Sequence, residues 1–308
     1  MVMRCGRRVM IEIGSCSWTE KTLIRSGEFY VKGIRTAEER LRYYAERFTT
    51  VEVDSTYYAM PSPGTSALWA ERTSQNFIFH IKVYGALTGH GVDPRTVPGD
   101  VLRVLPGGEH HRGKVYIKDP SLLRVLAERF IESLDPLIRS DKIGIMVFQF
   151  PQWFHYKAAH LDYIATCKEM MHGIPMGVEF RHGSWLTSQR RETVFSFLRE
   201  NRITYITADE PQFGNLATVP FIPEVTTKTA YLRLHGRNRG NWLRKGIETS
   251  LRYDYLYSDD ELREFIPPVL GLDRRSEKTY VMFNNCNGGS AMKNGMRLKE
   301  FMKKEGIR

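Results

Sequence analysis

The stretch Gly177-Val178-Glu179-Phe180-Arg181-His182-Gly183-Ser184-Trp185 decides how this chain is read. Val178 and Phe180 alternate with Glu179 and Arg181, which is the two-residue period of a strand. The alternation puts Glu179 and Arg181 on one face. Small residues then turn the chain, and the turn carries Trp185. A strand therefore delivers a carboxylate and a guanidinium to its C-terminal end, with a histidine, a hydroxyl and an aromatic just beyond. Such a strand makes a site only if its neighbours converge on the same place.

The flanking sequence supplies neighbours of the same kind. Residues 142–150 form an almost wholly apolar run, as expected of a strand covered on both faces, with Gln149 as its polar exception. Residues 203–208 end in Asp209-Glu210-Pro211, residues 229–234 in His235-Gly236-Arg237-Asn238, and residues 280–283 in Asn284-Asn285. Toward the N-terminus, strands are predicted at 10–14, at 50–54 and at 77–83, the last with His80 and Lys82 on one face. Between the strands lie helix signals. Thr36 with Glu39, and Ser258 with Glu261, are spaced as capping boxes. Pro63 and Pro120 suit first helical turns. Further helices are expected over 158–172, 188–201 and 291–304.

Eight strands alternating with helices or long connections imply a parallel sheet with right-handed crossovers. In this length they predict a single-domain (β/α)8 TIM barrel. A doubly wound open sheet would carry a Gly-rich phosphate turn after its first strand, and Gly14-Ser15-Cys16-Ser17 is not that turn. Neither a Walker-type P-loop nor HExxH occurs. Residues 84–118, between the third and fourth strands, are rich in Gly, Pro, His and Arg, and are expected to be an irregular insertion or lid.

Composition narrows the class. The 308 residues carry 10 more Lys and Arg than Asp and Glu, with pI about 9.4. That favours an anionic small molecule, a sugar phosphate or nucleic acid as partner. No apolar run reaches the roughly 18 residues of a membrane span, and the basic start before Glu12 does not read as a secretory signal, so a cytoplasmic protein is expected. Cys5, Cys16, Cys167 and Cys286 lack CxxC spacing, which signals neither a zinc ribbon nor a disulfide framework.

The motifs resemble those of the domain of unknown function 72 family, also called YecE-like. The matching pieces begin with Gly14-Ser15-Cys16-Ser17-Trp18, Tyr44-Ala45-Glu46-Arg47-Phe48 and Val51-Glu52-Val53-Asp54-Ser55-Thr56-Tyr57-Tyr58. They continue with Phe148-Gln149-Phe150-Pro151, Val178-Glu179-Phe180-Arg181-His182, Ala208-Asp209-Glu210-Pro211, Arg233-Leu234-His235-Gly236-Arg237-Asn238 and Phe283-Asn284-Asn285, and run in order over residues 11–303. The resemblance implies a TIM barrel like that of endonuclease IV and the xylose isomerases, and no established reaction. Two departures stand out. Asp54 replaces a usual Asn, adding a carboxylate. Gly183 replaces a usual Pro, which is expected to loosen the turn before Trp185.

Barrel active sites lie at the C-terminal ends of the strands. The candidates for acid, base or charge stabilisation are Glu179, first, then Asp209, Lys82 and His235. Those for binding are Trp18, Glu52, Asp54, Tyr57, Gln149, Arg181, His182, Trp185, Arg233, Arg237, Asn284 and Asn285. Loop aromatics, among them Tyr58, Tyr84, Trp153, Phe154, Phe213 and Trp242, offer stacking faces. A divalent site built from Glu52, Glu179, Asp209 and His235 would sit beside Lys82, Arg181 and Arg233, which repel a cation, so no metal or cofactor is expected. The reading is a metal-independent enzyme, a hydrolase, acting on a phosphate- or sugar-containing substrate. The alternatives are a nucleic-acid-binding or repair protein, a non-catalytic ligand sensor, and an ion-pair lattice that plugs the barrel.

Overall fold

The computed structural model describes residues 9–307; Cys5 and the basic start lie outside them. Eight parallel strands form one sheet: β1 (Ile11–Ser15), β2 (Thr50–Val53), β3 (Ile78–Lys82), β4 (Ile143–Gln149), β5 (Met176–Glu179), β6 (Thr204–Asp209), β7 (Thr229–Leu234) and β8 (Lys278–Phe283). Their order is β1-β8-β7-β6-β5-β4-β3-β2, so the first strand pairs with the last and the sheet rolls into a barrel. No helix among the described residues is long and apolar enough to cross a membrane.

The barrel closes at a seam between β1 and β2. Gly14 lets them approach: a Cβ there would sit 2.4 Å from the Thr50 carbonyl oxygen. The buried hydroxyl of Tyr44 then bridges the two strands. It accepts from the Ser15 N–H at 3.0 Å and donates to the Thr50 carbonyl at 3.0 Å. Thr49 and Glu12 also bond across the seam.

Capping sets the helices. Thr36 and Ser258 make the expected capping boxes, and Asp119 accepts from Ser121 N and Leu122 N at the start of Pro120–Ser133. The helix that Pro120 opens ends at Leu134, and Asp135–Arg139 continues as a separate short helix with Pro136 in its first turn. Between β6 and β7 the chain crosses without a helix.

The insertion is ordered. It holds the helix Gly99–Val104 and a two-residue hairpin, His110–His111 against Lys114–Val115. Val92, Val97, Val101, Val115 and Ile117 are buried in the main core. Its Gly and Pro residues mark tight turns inside a packed unit.

Inside the barrel, β4 carries an irregularity between its pairings with Phe79 and Ile81. It frees the Ile145 N–H from the ladder, and His80 Nδ1 accepts it at 3.1 Å. Gly144 makes room: a Cβ there would lie 2.3 Å from the His80 ring. Tyr231 and Tyr280 pack edge-on against that ring, and Ile145, Val147, Ile206 and Met282 fill the space around them. The lower barrel is therefore plugged, and what remains for chemistry is its upper end.

Candidate functional site at the C-terminal mouth

Strand parity selects what reaches the mouth. Gly177 faces inward, since a Cβ there would meet Ile145 and Ile206, so Glu179 and Arg181 face inward too. By the same alternation β2 contributes Glu52 and Asp54, β3 Lys82, β4 Gln149, β7 Arg233 and His235, and β8 Asn284.

Arg233 is the hub, fully buried beneath the mouth. Nη1 donates to Glu179 Oε2 at 2.5 Å and to Gln149 Oε1 at 2.9 Å. Nη2 donates to Glu52 Oε1 at 2.7 Å and lies 3.6 Å from Asp54 Oδ1. Burying one guanidinium between two carboxylates offsets the cost of desolvating all three. Tyr231 donates to the second oxygen of Glu52 at 2.8 Å.

Glu179 is saturated. Its Oε1 takes Arg181 at 3.0 Å and faces His235 Nε2 at 3.2 Å. Burial alone would raise its carboxyl, but Arg233, with His235 and Arg181, holds it well below the usual carboxylate range. His235 Nδ1 meets Asn284 Nδ2 at 2.8 Å, and its Nε2 lies between Glu179 Oε1 at 3.2 Å and Arg181 Nη1 at 3.1 Å. Burial brings His235 down to about 4, against the pull of Glu179. It is neutral at neutral pH, whereas the acid–base role expected of it needs a value near the working pH.

Above this layer the mouth opens to solvent at Asp54, Lys82 and Arg181. Lys82 pairs with Asp54 at 3.5 Å and lies 5.0 Å over the Tyr57 ring. Arg181 lies 4.9 Å under the Trp242 ring. Trp242 and Tyr253, from the β7–β8 connection, roof this side of the mouth. Tyr57, with exposed Tyr58 and half-buried His90, walls the other side.

Six expected members are elsewhere. Asp209 lies on the outward face of β6 with Tyr205 and Thr207. Arg237 grips it at 3.1 Å and Tyr257 donates to it at 2.6 Å. Arg237 is itself outside the barrel, paired also with Glu261 and Glu264. Trp18 packs among Trp69 and Phe79 in the core behind the strands. Trp185 is fully buried, stacked on Phe180 and Phe154, with Nε1 donating to the Phe154 carbonyl at 2.6 Å. His182 caps its own turn through Ser184 N. Asn285 donates to Tyr255 O and Asn294 Oδ1. These side chains brace the loops that form the mouth. Gly183 does not loosen its turn: its N–H donates to Leu216 O at 2.9 Å, and a Cβ there would meet Thr218 O at 2.7 Å.

In place of Asp209, β6 sends Glu210 to the mouth. Its Oε1 accepts from Val219 N at 2.7 Å, and its Oε2 stands 3.4 Å from Arg181. Burial raises its carboxyl to about 7, against the pull of Arg181. Burial does the same to Glu52, also to about 7, with Arg233 opposing. The signal for Glu210 was the period of two: Ile206, Ala208 and Glu210 share a face, and only the choice of face was open. Trp242 and Tyr253 have no sequence signal beyond being loop aromatics. Among the described residues, no group of three or more His, Cys, Asp and Glu is arranged to hold a metal ion.

A single-domain parallel barrel with a buried ionic hub under a charged mouth is the class that the fold and site define. The chain matches the family model "Protein of unknown function DUF72" over residues 12–307, and it belongs to that family. It is 28% identical over 297 residues to the UPF0759 protein YunF of Bacillus subtilis (strain 168), covering 95% of each chain. Among solved structures it resembles a DUF72 family protein of Thermotoga maritima MSB8, with TM-score 0.76, 30% identity, and 96% of this chain and 99% of that one covered. A DUF72 family protein of Enterococcus faecalis V583 is similar at TM-score 0.77 and 26% identity, with 96% of each chain covered.

Proposed function

We propose that this protein is a metal-independent barrel hydrolase whose substrate presents sugar hydroxyls to the mouth. One observation carries the reading. Asp54 Oδ1 and Glu210 Oε2 are buried oxygens that accept no hydrogen bond, their cationic neighbours standing 3.4 to 3.6 Å away. Unmet buried acceptors are costly, and a ligand that brings donors relieves the cost. Sugar hydroxyls are donors; a phosphate dianion is not. The charge balance agrees, because Arg233, Arg181 and Lys82 are each paired with carboxylates. A phosphorylated sugar fits the same reading, with its hydroxyls at the carboxylates and its phosphate at Lys82 or Arg181. The chain's own groups supply the acid and base, so the reading needs no cofactor. We also propose a cytoplasmic location, which the free thiols of Cys16, Cys167 and Cys286 support.

The test is a thermal-shift and calorimetric panel of neutral sugars, sugar phosphates and inorganic phosphate. Sugars or sugar phosphates are expected to bind, and phosphate alone to bind worse than either. Binding of inorganic phosphate with no binding of any sugar or sugar phosphate would overturn the reading.

Nucleic acid is the second reading. Exposed Tyr58 and Trp153 on the rim, with a net charge of +10, favour it. It requires affinity for single-stranded DNA that falls steeply with salt.

A further inference from the structure

We propose that Asp54 and Glu210 are the two working carboxylates of a glycoside hydrolysis, Glu210 protonating the leaving oxygen while Asp54 deprotonates the attacking water. The inference rests on the sugar reading and narrows it to one bond.

The geometry starts from topology. Asp54 follows the end of β2 and Glu210 the end of β6. In the order of the eight strands these two lie four steps apart by either path, so they face one another across the mouth. The other two carboxylates below them are committed. Glu179 is held by Arg181 and Arg233, and Glu52 by Arg233 and Tyr231. Asp54 and Glu210 alone among these four keep an oxygen without a hydrogen bond.

Their surroundings differ in the way the two roles require. Glu210 is 1% exposed; the Val219 N–H fixes one of its oxygens, and the other, 3.4 Å from Arg181, makes no hydrogen bond. Its burial keeps a substantial protonated fraction near neutral pH, which suits an acid. Asp54 is more open, with a side chain 25% exposed, and Lys82 and Arg233 flank it. Water reaches it from the solvent side.

The step balances without a cofactor. The glycosidic C–O bond breaks with its electron pair going to the leaving oxygen, which takes the proton of Glu210. The water oxygen bonds to the anomeric carbon, and Asp54 takes the proton that water loses. Exchange with solvent resets both groups. Carboxylates set on opposite sides of the mouth leave room for a water between base and sugar, so the proposal takes the inverting course.

The experiment uses the full chain and a panel of 4-methylumbelliferyl and 2,4-dinitrophenyl glycosides. Wild type is expected to hydrolyse at least one sugar of the panel, with inversion seen by proton NMR. Glu210→Gln should lower kcat/KM on the methylumbelliferyl glycoside by about 100- to 10,000-fold. The same variant should spare the dinitrophenyl glycoside, whose leaving group needs no proton. A variant that has merely lost its fold slows both substrates alike, and Glu210→Asp with a thermal melt identifies that case. Asp54→Asn should slow both substrates in a folded protein. Equal slowing of both by folded Glu210→Gln and Glu210→Asp overturns the acid assignment while the sugar reading stands. Sugar binding without turnover of any glycoside overturns the hydrolysis. Absence of both binding and turnover overturns the sugar reading itself.

Discussion

Arg233 and Glu179 meet at 2.5 Å with neither side chain touching solvent. The pair holds together strands β5 and β7, and through Glu52 it reaches β2. Arg233→Met would leave two buried carboxylates facing each other without their cation. We expect a loss of about 3–5 kcal/mol, read as a lower denaturant midpoint. Adding Glu52→Gln and Glu179→Gln should restore part of it. A single variant as stable as wild type would show that the hub is not under that electrostatic load.

Glu210 makes stability depend on pH in a direction opposite to ordinary salt-bridged carboxylates. Its folded-state value, about 7, lies above the ordinary 4.5. Below pH 4.5 folded and unfolded chains both hold the proton. Between 4.5 and 7 the unfolded chain releases it first, so stability falls as pH rises through that window and levels off above it. The difference in unfolding free energy between wild type and Glu210→Gln should therefore shrink or reverse from pH 7 toward 4.5. A difference that does not change with pH would contradict the burial of this carboxyl.

His235 titrates the other way. Its value drops from 6.5 to about 4 on folding. The stability it contributes as a neutral ring is complete above pH 6.5 and is lost as pH falls toward 4. Its imidazole proton resonances should stay flat from pH 8 to about 5. A midpoint near 6.5 would place the ring in water.

Asp209 and Glu210 are sequence neighbours with different work. Asp209→Asn removes the ion pair with Arg237 and weakens the bond from Tyr257. We expect a cost of about 1–3 kcal/mol, seen as a lower melting temperature. Sugar affinity, measured by calorimetry on the folded variant, should stay within experimental error. A selective loss of affinity would move Asp209 back to the mouth.

Gly144 tests the floor. A methyl group there would press on the His80 ring at 2.3 Å, and the ring is held by Tyr231, Tyr280 and the Ile145 N–H. Gly144→Ala should cost about 1–3 kcal/mol by overpacking. His80→Ala combined with it should recover much of the steric part.

The barrel was legible because its signals are local. Strand period, capping boxes and turn residues each sit within a few positions, and Thr36, Ser258 and the run 229–234 all read true. The hub was legible in part for the same reason: a charged residue at an interior position such as Glu52 or Arg233 is hard to place anywhere else. Where an outward face is also buried, parity loses its force. Asp209 and Glu210 are both almost fully covered, one by loops and helices and the other by the mouth. Polarity cannot tell the two sides apart. Trp18 and Trp185 misled for a related reason. An aromatic after a strand can lie over the mouth or fold back behind the barrel, and the direction depends on partners such as Trp69 and Phe154 that are distant in the chain. The insertion misled through composition, since turns rich in Gly and Pro also serve a packed unit when valines are spaced between them.

The seam at Tyr44 bears on the order in which the protein is made. Of the eight strands β1 leaves the ribosome first, yet its ladder partner is β8, the eighth of them. Until β8 emerges, the hydrogen bonds that tie β1 to β2 among the described residues are those of the Tyr44 hydroxyl and the Thr49–Glu12 contact. At about 5–20 residues per second, that wait lasts on the order of tens of seconds. During it, the nascent chain is an open sheet with one edge strand loosely tethered. The mouth is therefore completed only once Asn284 and its strand reach His235 and the ring shuts.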